Sequence, residues 1–162
     1  MYSINIKKQE LILMLLLLAL IAPRADAQFY QNAAGLRLGN ASGLTGKTLV
    51  SKRFLLEGII STRWRGINIV ALGEITQSLV DYRGLSWYYG VGAHIGFWDY
   101  PGDSEEGTKL FTGVDGIVGM EYTFDEIPLN LALDWKPFLN ILSTTHFVWD
   151  EIALSVRYVI HY

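Results

Sequence analysis

The sequence predicts an all-β protein: an eight-stranded antiparallel up-and-down transmembrane β-barrel behind a cleaved signal peptide. Three observations predict it. The first is the stretch from Asp150 to Tyr162, which contains no Gly or Pro. Ile152, Leu154, Val156, Tyr158, Ile160 and Tyr162 share one parity; Ala153, Ser155, Arg157, Val159 and His161 share the other. Successive strand side chains point to opposite faces, so this stretch has one apolar and one mixed face. A soluble edge strand avoids so long an apolar face because it invites aggregation. A strand between lipid and a polar lumen requires it. The second observation is the same alternation in seven further segments, and the third is the N-terminus.

Lys7 and Lys8 precede an apolar run from Leu11 to Ala22, and Ala25-Asp26-Ala27 then fits a small-x-small cleavage site. These are the three parts of a secretory signal peptide. The run is about twelve residues, short of the roughly 20 that a transmembrane helix needs. An uncleaved helical anchor is the alternative reading. Residues 1–27 are thus expected to be removed, leaving 28–162 as one barrel domain beginning at Gln28. The chain has no cysteine, so an oxidising compartment neither staples nor threatens it. A net charge of −3 offers no basic footprint for nucleic acid.

The first strand is expected over Ala33–Gly39, with Ala34, Leu36 and Leu38 opposite Arg37. The second, Gly43–Val50, sets Leu44 and Thr48 against Thr45 and Lys47. The third, Phe54–Thr62, sets Leu56, Gly58 and Ile60 against Glu57, Ile59 and Ser61. The fourth, Ile67–Gln77, sets Ile67, Ile69, Ala71 and Ile75 against Asn68 and Glu74, although Val70 and Leu72 blur it. The fifth, Ser86–Trp98, is the clearest: Trp87, Tyr89, Val91, Ala93, Ile95 and Phe97 against Ser86, Tyr88, His94 and four residues that include Gly90, Gly92 and Gly96. The sixth, Phe111–Phe124, sends Val114, Val118, Met120, Tyr122 and Phe124 one way and Asp115, Gly119, Glu121 and Thr123 the other. The seventh, Leu129–Ile141, places Leu129, Leu131, Leu133, Trp135 and Leu139 opposite Asn130, Asp134, Lys136 and Asn140. The terminal strand is the eighth.

Loop lengths set an orientation. Asp125–Pro128 is tight and Asp99–Leu110 is long and acidic. Membrane barrels have short periplasmic turns and long external loops. Asp99–Leu110 and Ser143–Trp149 are then external, and an even strand number leaves both termini periplasmic. Trp87, Tyr89, Tyr122, Phe124, Tyr158 and Tyr162 fall towards the periplasmic strand ends, and Phe97 and Trp149 towards the outer ends. Aromatics so placed make two interfacial girdles. A soluble lipocalin-like barrel would put the apolar parity inside and the charged parity outside.

In a membrane barrel the inward charges are Arg37, Lys47, Lys136 and Arg157 against Glu57, Glu74, Asp115, Glu121 and Asp134, with His94 among them. An eight-stranded barrel is just wide enough for side chains to fill it, and buried charges must be paired. The expectation is an ion-pair network that plugs the lumen, with no catalytic residues; a catalytic cluster is the competing reading. Gly90, Gly92, Gly96, Gly113 and Gly119 are expected to make room for Arg and Lys side chains. If Asp99–Leu110 joins strands five and six symmetrically, His94 falls opposite Asp115, which faces Phe138, with Lys136 a diagonal neighbour; the long loop leaves a slip of two residues open.

Enzyme motifs are poor: no HExxH, GxSxG, P-loop or cysteine metal set occurs. His146, near Ser143, Thr144, Thr145 and Asp150, has the residue types of a nucleophile–base pair without an orienting pattern. Asp99, Asp103, Glu105 and Glu106 are oxygen donors without EF-hand spacing, and read as a solvated acidic loop. No metal and no cofactor is expected.

The stretches GLRLGNASGLTGK, LEGIISTRWRGINI, WYYGVGAHIGFWD and GMEYTFDEIPLNLALDWKP resemble the small outer-membrane β-barrel proteins common in the Bacteroidota. The resemblance runs from about Gly35 to Tyr158, and the architecture is similar to the OmpA transmembrane domain and OmpX. It implies an outer-membrane location and a fold, and no reaction. A last strand ending in an aromatic also resembles the signal read by outer-membrane assembly machinery. The implied partners are membrane lipids and lipopolysaccharide, around a monomer. PagL-type lipid A deacylases carry a His-x-Ser pair; here His94 is followed by Ile95-Gly96. The palmitoyltransferase PagP uses His, Asp and Ser; Ser143, His146 and Asp150 match only in residue type. A lipid A-modifying enzyme of this shape is therefore the alternative function.

Overall fold

The computed structural model describes residues 31–63, 66–79, 82–98, 109–142 and 146–160. The described residues form ten strands and no helix: β1 (Asn32–Gly39), β2 (Ser42–Ser51), β3 (Phe54–Arg63), β4 (Gly66–Ser78), β5 (Leu85–Trp98), β6 (Lys109–Thr123), β7 (Leu129–Trp135), β8 (Phe138–Leu142), β9 (His146–Val148) and β10 (Ile152–Ile160). Neighbours from β1 to β6 pair antiparallel in chain order, and β10 closes the ring against β1 and β7. Two pairs of strands share a stave, β7 with β8 and β9 with β10, so the sheet is a closed eight-stranded antiparallel barrel.

The strand expected over Leu129–Ile141 is broken at Lys136-Pro137, because proline has no N–H for the ladder. Gly116 N–H still donates to the Pro137 carbonyl at 2.9 Å, and Lys136 N–H to the Glu151 carbonyl at 2.8 Å, which keeps the stave in line. The expected loop Ser143–Trp149 is also partly strand: β9 pairs with β8, with His146 opposite Asn140. The expected loop Asp99–Leu110 is shorter at its far end, since Lys109 and Leu110 begin β6.

Pairing fixes the geometry. Ala34 faces Tyr158, which faces Leu129; in the other direction Ala34 leads through Gly46, Gly58, Ala71, Ala93 and Val114 to Leu139. Leu139 lies ten residues beyond Leu129 on the same stave. That stagger, with rises of about 3.3 Å and strand spacings of about 4.8 Å, tilts eight staves by about 40°.

Asn32 pairs with Ile160, so the barrel's first and last described strands meet at one end, the terminal end. The β2–β3, β4–β5 and β6–β7 turns lie there too. Gly84 closes the second of these at φ 84°, a conformation that L side chains resist, and its carbonyl accepts from Thr123 N–H at 2.8 Å. The opposite, loop end carries the β5–β6 connection. Inside, Ile59, Val70, Leu72, Tyr88, Ile117 and Ala132 form one apolar cluster. Val70 and Leu72 blur the alternation of β4 because they face this packed interior.

Candidate functional site

All ten inward charges named from sequence are buried in the lumen: Arg37, Lys47, Glu57, Glu74, His94, Asp115, Glu121, Asp134, Lys136 and Arg157. Parity carries each of them inward from its own stave. They do not form one tangle but two clusters, one towards each end.

The terminal-end cluster is centred on Lys47. Its Nζ lies 2.7 Å from Glu74, 3.5 Å from Glu57 and 3.7 Å from Glu121. The Tyr88 ring caps it, with the ammonium 3.5 Å from the ring centroid. Arg157 pairs with Glu57 at 2.6 Å and donates to Thr45 and Asn130. Thr45 also donates to Glu57. Two cations here meet three carboxylates.

The loop-end cluster is a chain. His94 Nδ1 lies 2.7 Å from Asp115, Asp115 lies 2.9 Å from Lys136 Nζ, and Lys136 lies 3.0 Å from Glu151. Glu151 reaches Arg37 at 3.7 Å, and Arg37 forks onto both oxygens of Asp134 at 2.7 Å each. Such a bidentate pair fixes orientation as well as charge. The Tyr88 hydroxyl donates to Asp134 at 3.2 Å, joining the two clusters.

Glu151 and Tyr88 were not among the sequence-named network residues. Glu151 lies within the Asp150–Tyr162 stretch on the parity of Ala153, Ser155 and Arg157, and carrying that parity back one inward position finds it. Tyr88 also has inward parity, yet an aromatic gives no sign that it will cap a lysine.

Two expectations about the interior are corrected. His94 is opposite Gly113, and Asp115 is opposite Gly92, a shift of two residues from the expected register. The His94–Asp115 contact survives as a diagonal one, and Asp115 faces Phe138 as expected. The inward glycines do not make room for Arg and Lys. A Cβ at Gly119 would strike Tyr88 and Asp134, one at Gly113 would strike His94, and one at Gly96 would strike the Phe111 ring. Rings take the space at Gly96, Gly113 and Gly119, whereas Gly90 lies against Glu74 and Gly92 against Leu72 and the β4 backbone.

The lumen is filled. No water-sized sphere touches Arg37, Glu74, Tyr88, Asn130, Ser155 or Arg157, so no space as wide as a water molecule adjoins them. A groove of about 480 Å³ lies instead on the outer wall, over the row of small residues Ala34, Gly46, Gly58 and Ala71.

That outer wall is apolar. Among the strand residues whose side chains are described, no Asp, Glu, Lys or Arg points outward, whereas Leu36, Leu44, Ile60, Ile69, Val91, Leu133 and Leu154 do. Trp87, Tyr89 and Phe124 are half-buried, while Phe97, Tyr122, Trp149 and Tyr158 are exposed. Tyr162 lies outside the described residues, as do residues 1–27, expected to be a signal peptide, the acidic positions Asp99, Asp103, Glu105 and Glu106, and Ser143, Thr144 and Thr145. His146 is exposed on β9 and lies opposite Asn140, in a strand rather than a loop. Among the described residues, no group of three His, Asp or Glu side chains is arranged to hold a metal ion. No protein-family model, curated protein or solved structure matches the chain.

Proposed function

We propose that this protein is a small, non-enzymatic outer-membrane β-barrel whose lumen is closed by its own side chains, acting in envelope integrity or surface interaction. The observation that carries this reading is the inverted distribution of polarity. Buried charge lines the inside, and the exposed wall is apolar. From Trp87 to Phe97, ten residue steps of about 3.3 Å tilted by about 40° make a band roughly 25 Å tall. That is the height of the apolar belt of a membrane barrel. On this reading, lipids and lipopolysaccharide cover the wall, both termini are periplasmic, and the last strand is read by the assembly machinery. The protein is a monomer related to the small barrels of the Bacteroidota. No reaction is assigned, because the lumen's charged groups are engaged with one another and His94 meets Asp115 and Asn140 at its two ring nitrogens.

Val91 tests the membrane reading without disturbing the interior, since it is 74% exposed. In water, Arg at so exposed a site is almost neutral. In a bilayer midplane it costs about 2–4 kcal/mol. Val91→Arg is expected to show that loss on refolding into lipid vesicles, and an unchanged stability there would remove the basis for a lipid-facing wall. Fractionation and lipid analysis of a deletion strain separate the two functions. Outer-membrane protein with unaltered lipid A supports the reading; altered lipid A acylation replaces it with a lipid-modifying enzyme.

A further inference from the structure

The apolar wall is taller on one side of the barrel than on the other. With a tilt of about 40°, each residue along a stave gains about 2.5 Å of height, and each stave crossed from β1 towards β6 gains about 3 Å. The paired row from Ala34 through Gly46, Gly58, Ala71 and Ala93 to Val114 therefore climbs towards the loop end, and other heights are counted from it. The terminal-end edge of the wall is level: Phe54, Trp87, Tyr122 and Tyr158 lie about 3–5 Å below Ala34.

The loop-end edge is not level. On β1 and β2 the highest outward apolar residues are Leu38 and Leu44, about 10 and 8 Å above Ala34. Exposed Ser42 follows on the same parity at about 13 Å, and the turn through exposed Asn40 closes the two staves there. Ser42 Oγ donates to the Gly39 carbonyl at 3.2 Å, and the Asn40 side-chain amide donates to the Asp150 carbonyl. On β4, β5 and β6 the exposed residues at about 14–17 Å are Ile69, Val114 and Ile95. Ile67, Phe97 and Leu110 carry the apolar face of those staves on to about 19–26 Å. At one height, then, the wall presents a polar turn on one side and aliphatic side chains on the other.

A bilayer level with Phe97 and Leu110 would bury the β1–β2 turn about 10 Å inside its apolar layer. Irregular backbone exposed to lipid is not tolerated at such depth, because its N–H and C=O groups find no partners there. A wall shorter than the hydrocarbon is met instead by thinning of the bilayer, at modest cost per ångström. We propose, resting on the membrane reading of the wall, that the barrel draws the loop-end leaflet down beside β1 and β2. The partner of this surface is a patch of locally thinned lipid with shortened or disordered chains. Tilting of the whole barrel is the competing response, and it would move the level terminal-end edge out of line. The strip beside β1 and β2 is then the shortest apolar path across the membrane at the surface of this protein.

Nitroxide labels on single cysteines test this, since the chain has no cysteine of its own. The barrel is refolded into dimyristoyl phosphatidylcholine vesicles, and the depth of each label is read from its accessibility to oxygen and to a water-soluble nickel chelate. S42C and V114C stand at nearly one height on opposite sides. The chelate is expected to reach the S42C label several-fold more readily than the V114C label, and N40C is expected to repeat the S42C result. F54C and Y122C, on the terminal-end edge, are expected to lie equally deep. Labels at S42C and N40C as shielded as that at V114C would overturn the proposal. So would unequal depths at F54C and Y122C, which would mean that the barrel tilts and the bilayer stays level. A V91C label separates the two readings. Shielded V91C beside shielded S42C ends the thinning alone, whereas V91C as open to the chelate as S42C ends the lipid-facing wall and the thinning together.

Discussion

The two charged clusters of the lumen are built from the same residue types but are wired differently. At the terminal end Lys47 is a hub, with three carboxylates and a tyrosine ring around one ammonium. Towards the loop end, Asp115, Lys136, Glu151 and Arg37 form a chain in which each member has two side-chain partners, His94 being one of those of Asp115. A buried charge is costly chiefly when left without a partner. Loss of a hub takes a partner from three carboxylates at once, whereas loss of a link takes one from each of two neighbours. The arrangement also matches position. The hub lies where the β2–β3, β4–β5 and β6–β7 turns gather, and the chain ends on His94 against Phe138 and Asn140 of β8.

The sharpest test of this contrast is Lys47→Met. Glu74 loses its 2.7 Å ion pair, Glu121 loses a contact at 3.7 Å, and Glu57 keeps Arg157. A loss of about 5 kcal/mol is expected in denaturant-dependent refolding into vesicles, the top of the range for breaking a buried pair. A loss below that of the next variant would end the hub description. Lys136→Met comes second, at about 3 kcal/mol, because Asp115 keeps His94 and Glu151 keeps Arg37. Adding Asp115→Leu is expected to recover part of it, and additive losses would mean that the two residues are not coupled. The smallest effect belongs to the bridge. Tyr88→Phe keeps the ring over Lys47 and removes only the hydroxyl on Asp134, for about 1 kcal/mol. A cost several times larger would show that the clusters act as one network through Tyr88.

Much of this was open to reading in the chain. Parity separated Arg37, Glu57, Glu74, His94 and Asp134 from Leu36, Ile60, Val91 and Leu154, and the membrane-barrel reading put the first set inside and the second outside. The strand pleat is a local property with a period of two, so each stave can be read without knowing its neighbours. The partners were another matter. Arg37 and Asp134 are 97 residues apart, and Arg157 and Glu57 are 100 apart. Which of the inward groups meet depends on a stagger of ten that exists only once the ring has closed. The β5–β6 connection is too long to fix a register, and a shift of two residues keeps every side chain on its own face. Alternation therefore could not tell His94 opposite Asp115 from His94 opposite Gly113. Pairing along the whole ladder chose the second, and with it the diagonal contact that begins the loop-end chain.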